Sequence, residues 1–139
     1  MILLDTSGVF AAADIRQEES TAARGALFSA RPPLILSPFV LAELDYFLGR
    51  SVGEQARLSL LSEVESEAYT LATFSAADVA AARAIIKSYA DLRVSLADAS
   101  IVVLSERYGV NDVLTLDERH FRVLHGAHGL PFRVLPADA

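Results

Sequence analysis

Short, mainly apolar runs alternate along this chain with longer stretches of helical length. The runs occupy residues 2–4, 34–36, 68–71, 113–116 and 132–135. Short runs of this kind, without a strict alternation of apolar and polar residues, are typical of strands buried on both faces of a parallel sheet. The pattern therefore predicts an α/β chain in which a parallel sheet is flanked by helices, as one continuous α/β/α unit.

Several residues mark where the helices should begin and end. A serine followed by a proline, or by an acid three residues later, is typical of a helix start. Such pairs are Ser37 with Pro38, Ser51 with Glu54, and Ser75 with Asp78. Gly49 and Gly109 stand where helices should end. Because no repeat, linker or low-complexity segment interrupts the pattern, we expect residues 1–139 to form a single domain.

Composition narrows the classes of protein and of site. The chain has 139 residues, 53% of them hydrophobic, a net charge of -6 and no cysteine. Without cysteine, disulfides and thiolate metal sites are excluded, so any metal must be bound by oxygen or imidazole. The sequence has no long apolar run and no start typical of a signal peptide, so we expect a soluble cytoplasmic protein with no membrane partner. The negative charge argues against a general basic surface for nucleic acid.

Two acids follow directly after predicted strands. Asp5 follows residues 2–4 and Asp117 follows residues 113–116. Ligands of parallel α/β folds bind at the carboxyl ends of the strands, so both acids should lie at that edge of the sheet. Asp112 precedes its strand and should lie at the opposite edge, which removes it from the candidate site.

Two further acids lie in predicted helices, and each has a structural alternative. Glu43 has apolar neighbours three and four residues away, but the same holds for Asp45, so spacing does not choose between them. Asp98 comes three residues after Ser95, which is equally typical of a capping box and of a metal ligand. Four converging carboxylates would repel one another by roughly 4 kcal/mol per close pair unless a cation held them together. Oxygen ligands favour Mg²⁺ or Mn²⁺ over zinc.

The acids also occur within segments that match a known family. The segments are Leu4-Asp5-Thr6-Ser7, Ser37-Pro38 with Glu43, Tyr89-Ala90-Asp91 before Leu96-Ala97-Asp98-Ala99, and Leu114-Thr115-Leu116-Asp117. In this order and spacing they resemble PIN-domain proteins, specifically the VapC-type toxins of toxin–antitoxin pairs. The resemblance extends over essentially the whole chain.

This resemblance implies a metal-dependent endoribonuclease that cuts structured RNA such as tRNA or rRNA and is inhibited by an antitoxin protein. It implies a homodimer and a five-stranded parallel sheet in the order 3-2-1-4-5. Asp5 and Asp98 correspond to the principal metal ligands, and Glu43 to a ligand or to a partner acting through water. Asp117 corresponds to a variable fourth acid. Thr6 and Thr115 correspond to hydroxyl groups that support the cluster.

Other polar residues have competing interpretations. Asp91 either lines the RNA groove or, as we favour, ends a helix. Three arginines near the acids could contact phosphate or lie in solvent; they are Arg93, Arg119 and Arg122. Three histidines have spacings that fit neither a helical pair of metal ligands nor a zinc finger, so we assign them to a polar loop; they are His120, His125 and His128.

Three rival functions are weaker on the sequence. An aspartyl-phosphate phosphatase would have a second acid two residues after Asp5, where this chain has Ser7. A phospho-acceptor receiver needs a lysine after a late strand, and Lys87 lies within a predicted helix. A degenerate PIN domain that acts as a binding module would not need all four acids.

Overall fold

The computed structural model describes residues 1–139 and contains one parallel five-stranded sheet. The strands are β1 (Ile2–Leu4), β2 (Leu34–Leu36), β3 (Thr70–Leu71), β4 (Asp112–Leu114) and β5 (Arg133–Leu135). Their order across the sheet is 3-2-1-4-5, and all neighbouring pairs are parallel. The predicted α/β/α architecture and strand order are confirmed.

Seven α-helices connect and cover the strands. They are α1 (Thr6–Ala13), α2 (Ser20–Ser29), α3 (Pro38–Ser51), α4 (Glu54–Glu65), α5 (Ala76–Ser88), α6 (Leu96–Tyr108) and α7 (Glu118–Phe121). Helix α1 packs against α2 and α3, and α5 packs against α6. None of these helices is long and apolar enough to span a bilayer.

The central strands are buried because helices cover both faces of the sheet. All three residues of β1 are buried, and so are Val113 and Leu114 of β4. Leu44 and Leu48 of α3 fill the layer above the sheet and are also buried. Burial of each such aliphatic side chain contributes roughly 1.5–3 kcal/mol. This core fixes the carboxyl ends of β1 and β4 side by side.

A glycine allows α1 to begin immediately after β1. A Cβ atom added at Gly8 would lie 2.5 Å from the carbonyl oxygen of Leu114, on the neighbouring strand β4. A larger residue would therefore push the start of α1 away from the sheet. The close approach brings the residues before and after Gly8 next to the carboxyl end of β4.

Some predicted boundaries differ from the structure. Helix α3 continues through Gly49 to Ser51, so Gly49 does not end it and Ser51 does not start α4. A Cβ atom at Gly49 would lie 3.0 Å from the side chain of Arg57, so this glycine allows α3 and α4 to pack closely. The last three strands are also shorter than their apolar runs, since β3 holds only Thr70–Leu71 and β4 ends at Leu114.

Candidate metal centre

The four predicted acids line a single depression at the carboxyl edge of the sheet. Its volume is about 440 Å³, and it is lined by ten residues from the β1–α1 segment, α3, the start of α6 and the loop after β4. Asp5, Glu43, Asp98 and Asp117 are all among them. The topology brings together acids that are up to 112 positions apart in the sequence.

Asp5 lies at the N-cap of α1 but does not cap it. Its main-chain carbonyl accepts the bond from Val9, whereas its side chain makes no capping hydrogen bond. Instead, Oδ2 accepts hydrogen bonds from Thr115 Oγ1 at 2.6 Å and from Ser7 Oγ at 3.1 Å. Oδ1 has no protein hydrogen-bond partner. Burial raises the pKa of Asp5 to about 6, and the nearby charge of Asp98 adds to the increase.

Glu43 and Asp45 separate in the structure. Thr6 Oγ1 donates a 2.6 Å hydrogen bond to Glu43 Oε1, which leaves Oε2 without a protein partner. Asp45 does not line the depression and forms a salt bridge with Arg57 of α4. The arrangement resolves the ambiguity of the sequence, because only Glu43 faces the acidic depression.

Asp98 forms the capping box that the sequence left open and also lies in the acidic depression. It forms a capping box, in which Ser95 Oγ accepts from the Asp98 amide at 3.0 Å and Asp98 Oδ2 accepts from the Ser95 amide at 3.3 Å. It also lines the depression, with only 8% of its surface exposed. Burial raises the pKa of Asp98 despite its hydrogen bonds to Ser95. Capping uses Oδ2, so Oδ1 remains free.

Asp117 differs from the other acids because both of its oxygens are engaged. Oδ1 accepts from the main-chain amide of His120, and Oδ2 lies 2.6 Å from Nδ1 of the same residue. Asp117 thereby caps α7, which lasts for only four residues. Its main-chain amide donates to Thr115 Oγ1, so the hydroxyl that holds Asp5 also holds this loop.

His120 belongs to the site, which corrects its assignment to a polar loop. Its Nδ1 lies 3.4 Å from Asp98 Oδ2 as well as 2.6 Å from Asp117 Oδ2, and Nε2 lies 3.0 Å from the carbonyl oxygen of Leu92. A ring that serves a carboxylate and a carbonyl donates from both nitrogens and carries a positive charge. Partial burial opposes that charge, but the Asp117 hydrogen bond and both carboxylates raise the pKa of His120.

The oxygen atoms suit a divalent cation. Asp5, Glu43 and Asp98 each keep one carboxylate oxygen free of protein hydrogen bonds, while a hydroxyl or main-chain amide fixes the other. Hard oxygen ligands of this kind are those that Mg²⁺ binds. Ligand atoms of Asp98, Asp117 and His120 also lie within 4.8 Å of one another. Because both His120 nitrogens are already engaged, we assign this residue as a cation beside the site and not as a ligand.

The remaining predicted residues divide into two groups. Arg122 is bound to Glu118 and Asp138, so it is not free to contact a phosphate. Arg93 and Arg119 form no ion pair with a carboxylate. Arg93 precedes α6 by three residues and Arg119 lies between Asp117 and His120 in the sequence, but neither lines the depression.

Three polar residues and one larger depression lie outside the site. Asp91 lies in a 3₁₀ turn, Ala90–Leu92, and does not line the acidic depression. His125 and His128 do not line it either; both are exposed, His125 forms an isolated β-bridge with Pro131, and His128 lies in a 3₁₀ turn, Ala127–Gly129. A larger depression, of about 580 Å³, lies at the amino ends of β1, β4 and β5, where Asp112 is paired with Arg133. It contains no acidic cluster.

Comparisons with known proteins agree with this geometry. A family model described as PIN domain matches residues 2–125. Ribonuclease VapC26 of Mycobacterium tuberculosis is 38% identical over 135 residues, which are 97% of this chain and 100% of that protein.

Two solved structures have the same fold. VapC20 of Mycobacterium tuberculosis, described as a sarcin–ricin loop cleaving toxin, is 20% identical with a TM-score of 0.78, over 84% of this chain and 90% of that one. FitAcB from Neisseria gonorrhoeae is 24% identical with a TM-score of 0.58, over 85% and 88%. The extent of the family match and the close relative show that this chain belongs to the PIN-domain family and, within it, to the VapC ribonucleases.

Proposed function

We propose that this chain is a Mg²⁺- or Mn²⁺-dependent endoribonuclease that cuts structured RNA, tRNA or rRNA, as the toxin of a toxin–antitoxin pair. The observation that carries the proposal is the set of three carboxylates, Asp5, Glu43 and Asp98, that line one depression and each keep one oxygen free. The name of the 38% identical relative, a ribonuclease, supports the same reaction.

The charge of the site supports a cation as its occupant. Burial raises the pKa of Asp5 and of Asp98 even with His120 beside Asp98, so their ionised forms are costly without a bound cation. A bound divalent cation would remove that cost, orient and activate a water molecule, and offset negative charge on the phosphate during hydrolysis. Asp5, Glu43 and Asp98 would hold the cation through their free oxygens.

The protein's own groups prepare this site before any ligand arrives. Thr6 holds Glu43, and Thr115 with Ser7 holds Asp5, so each carboxylate has a fixed orientation. Fixed ligands do not have to be ordered when the ligand binds, which saves conformational entropy. Ser7 was not among the predicted supporting residues, but it bridges Asp5 and the main-chain amide of Leu116.

His120 positions the fourth acid. Its ring joins Asp117 to the carbonyl oxygen of Leu92, which connects the loop after β4 to the segment before α6. Asp117 then acts as a supporting acid whose charge is partly offset by His120. Arg93 and Arg119 are exposed, have no carboxylate partner and lie close in sequence to the acids, so they would contact the phosphates of a bound RNA.

The antitoxin would inhibit by placing a positively charged side chain against the free carboxylate oxygens. An arginine suits this position because its guanidinium group forms paired hydrogen bonds with carboxylates. Such a group would compete with the metal for the same oxygens. Inhibition by the antitoxin should therefore weaken as the Mg²⁺ concentration rises.

Cleavage and metal binding test the proposal together. We expect the purified chain to cut total RNA in Mg²⁺ or Mn²⁺ and to lose this activity in EDTA. Isothermal titration calorimetry should detect cation binding by the wild type and weak or absent binding by Asp98→Asn. Asp112→Asn is the matched control, since Asp112 lies at the opposite edge of the sheet. Equal cleavage with and without EDTA would contradict the metal dependence.

A further inference from the structure

Two phenylalanines line the acidic depression. Of its ten lining residues, eight are polar or acidic, and the two apolar ones are Phe10 of α1 and Phe47 of α3. Phe47 is 41% exposed and Phe10 is partly buried. Neither belongs to the fully buried core; Phe10 packs against the core, and Phe47 lies outside it. Aromatic rings that stay accessible beside a metal centre offer a flat apolar surface to whatever the centre binds.

The rings are arranged as a corner. The centroids of Phe10 and Phe47 are 6.5 Å apart, and their planes meet at 74°. Tyr46 packs against Phe47 with a centroid distance of 5.6 Å and an angle of 68°, and is itself 58% exposed. Edge-to-face contacts of this kind hold the rings in place while leaving ring surface uncovered.

Helix α3 carries an acid, an aromatic ring and a base at successive turns. Glu43, Phe47 and Arg50 are spaced by four and three residues, so they share one face of the helix. The helix rises 1.5 Å per residue, which places Arg50 roughly 10 Å from Glu43 along the axis. Arg50 forms no ion pair, and its one hydrogen bond goes to the hydroxyl of Tyr46 at 3.2 Å.

This order of groups matches the order of groups along an RNA strand. We propose that Phe10 and Phe47 bind an unpaired nucleobase next to the scissile phosphate, and that Arg50 binds a phosphate further along the same strand. The inference rests on the proposed ribonuclease function and adds residues that recognise the substrate. Stacking on aromatic rings is the usual way in which proteins bind unpaired RNA bases.

Charge favours RNA over a protein segment as the occupant. The two rings line the depression beside carboxylates that would hold a cation. Arg50 lies outside the depression, about one turn beyond Phe47 on the same face of α3, and has a tyrosine hydroxyl but no acid as its partner. A nucleotide supplies a phosphate for the cation, a flat base for the rings and a second phosphate for the arginine. An apolar protein side chain would use the rings alone and leave Arg50 without a ligand.

Two changes made separately and together test the proposal: removal of a base from the RNA and removal of an aromatic ring from the protein. A short RNA cut by the wild type is prepared with an abasic ribose at each nucleotide that flanks the cut, and kcat/KM is measured in Mg²⁺. Stacking by one base should make kcat/KM about tenfold or more lower at one abasic position. On the intact RNA, Phe47→Ala should have a kcat/KM that is lower than the wild-type value by a similar factor. On the abasic RNA its kcat/KM should equal that of the wild type. Phe47→Trp should still cut the intact RNA faster than the abasic RNA.

Phe28→Ala is the matched control. Phe28 is 76% exposed on α2, contacts the Arg24 guanidinium and does not line the depression, so this variant should behave as wild type. Calorimetry should show unchanged Mg²⁺ binding for both alanine variants, which separates substrate contact from damage to the metal centre.

Several results would overturn the proposal. They include equal cleavage of intact and abasic RNA by the wild type, and a base dependence that persists in Phe47→Ala. If Phe47→Ala cleaves RNA at the wild-type rate but is inhibited less by the antitoxin, then Phe10 and Phe47 bind the antitoxin and not RNA. Cleavage without base dependence would overturn this proposal alone, whereas absence of any cleavage by the wild type would remove the proposed function and this inference with it.

Discussion

Single hydroxyl groups determine which carboxylate oxygens this site offers. Thr6, Ser7 and Thr115 each donate to one oxygen of an acid and leave the other oxygen unbound. The bound oxygen fixes the side-chain rotamer, and the unbound one is available to a ligand. The same hydroxyls cannot neutralise the acids, so burial still raises the pKa of Asp5. The metal-free site is therefore ordered but electrostatically costly.

This cost predicts that Asp5→Asn stabilises the metal-free protein. The pKa of Asp5 is about 6, compared with 3.8 for an ordinary aspartate, so its ionisation above pH 6 costs roughly 3 kcal/mol. The asparagine oxygen can still accept from Thr115 while removing the charge. Urea unfolding in EDTA at pH 7.5 should give Asp5→Asn a free energy of unfolding that exceeds the wild-type value by up to this amount. Its RNA cleavage should fall by orders of magnitude.

The pH dependence of unfolding gives an independent measurement of the same effect. A group whose pKa is raised by folding stabilises the protein while it is protonated, and this stability is lost as pH rises through the folded pKa. The free energy of unfolding of the wild type in EDTA should thus fall between pH 4 and about pH 7. Asp98 and His120 add to this slope in the same direction, so Asp5→Asn should reduce it without abolishing it. An unchanged slope in Asp5→Asn would contradict the prediction.

The charged ring of His120 leads to a second prediction at this scale. His120→Gln keeps a polar side chain but cannot donate to both Asp117 and the Leu92 carbonyl. Loss of a group that orients an acid beside a metal typically costs 10–100-fold in activity, and we expect a decrease of that size in kcat. His125→Gln serves as the control, because His125 lies outside the depression. Wild-type cleavage by His120→Gln would show that Asp117 needs no support.

The sequence predicted the acids better than the groups around them. Asp5 and Asp117 could be found because they follow apolar strands, and this requires only local pattern. The spacing of the three histidines gives no sign of the role of His120, whereas its position three residues after Asp117 is informative. The role of Ser7 is not apparent from the sequence, because one of its partners, Thr115, is 108 positions away and a single sequence does not contain that pairing.

At the scale of elements, helices α5 and α6 both begin with a capping box, but the two capping boxes lie in different surroundings. Ser75 with Asp78 starts α5, and Ser95 with Asp98 starts α6; both pairs form complete capping boxes. Asp78 is also bound to Arg107, and hydrogen bonds to Ser75 lower its pKa despite some burial. Asp98 faces other acids, and burial raises its pKa. The same local sequence therefore has opposite electrostatic consequences.

This contrast predicts opposite effects of one substitution at two helix starts. In EDTA at neutral pH, Asp78→Asn should lower the melting temperature of the protein slightly, because a favourable charge at the helix start and the ion pair with Arg107 are lost. Asp98→Asn should instead stabilise it, because the loss of a buried charge outweighs the weaker cap. Saturating Mg²⁺ should raise the melting temperature of the wild type and of Asp78→Asn, but raise that of Asp98→Asn much less.

Two melting curves per protein, one in EDTA and one in saturating Mg²⁺, are enough to judge the result when the wild type is measured in parallel with each variant. An Asp98→Asn variant that melts lower in EDTA and keeps the full Mg²⁺ shift would leave Asp98 as a capping residue only.

Element positions were predictable wherever a boundary depends on local chemistry. Ser37 with Pro38 and Ser75 with Asp78 start helices as expected, because the caps are formed by neighbouring residues. Gly49 was misread because its role is close packing between α3 and α4, which depends on the contact with Arg57. The edge strand β3 is only two exposed residues long, since it lies at the side of the sheet where one neighbour is missing.

At the scale of the whole molecule, the positions of the acids and arginines explain how a chain with a net charge of -6 can bind RNA. The acids of the site form one cluster, which a cation would neutralise. The segments that carry Glu43, Asp98 and Asp117 also carry arginines without an acidic partner, namely Arg50, Arg93 and Arg119. The implied homodimer would double this arrangement, and light scattering on the purified chain tests that expectation directly. Few phosphate contacts should give RNA binding that weakens only modestly with added salt.

A toxin must be harmful when it is made alone, and this gives the last prediction. Expression of the wild-type chain in a bacterial host should slow growth, because cleaved tRNA or rRNA limits protein synthesis. Asp5→Asn should permit normal growth at equal expression, since it lacks a ligand for the cation but keeps the fold. Co-expression of the cognate antitoxin should restore growth, and if a basic antitoxin residue inhibits as proposed, its substitution should abolish that rescue. Normal growth in cells that accumulate soluble wild-type protein, active on RNA after purification, would reject the toxin role while leaving the ribonuclease intact.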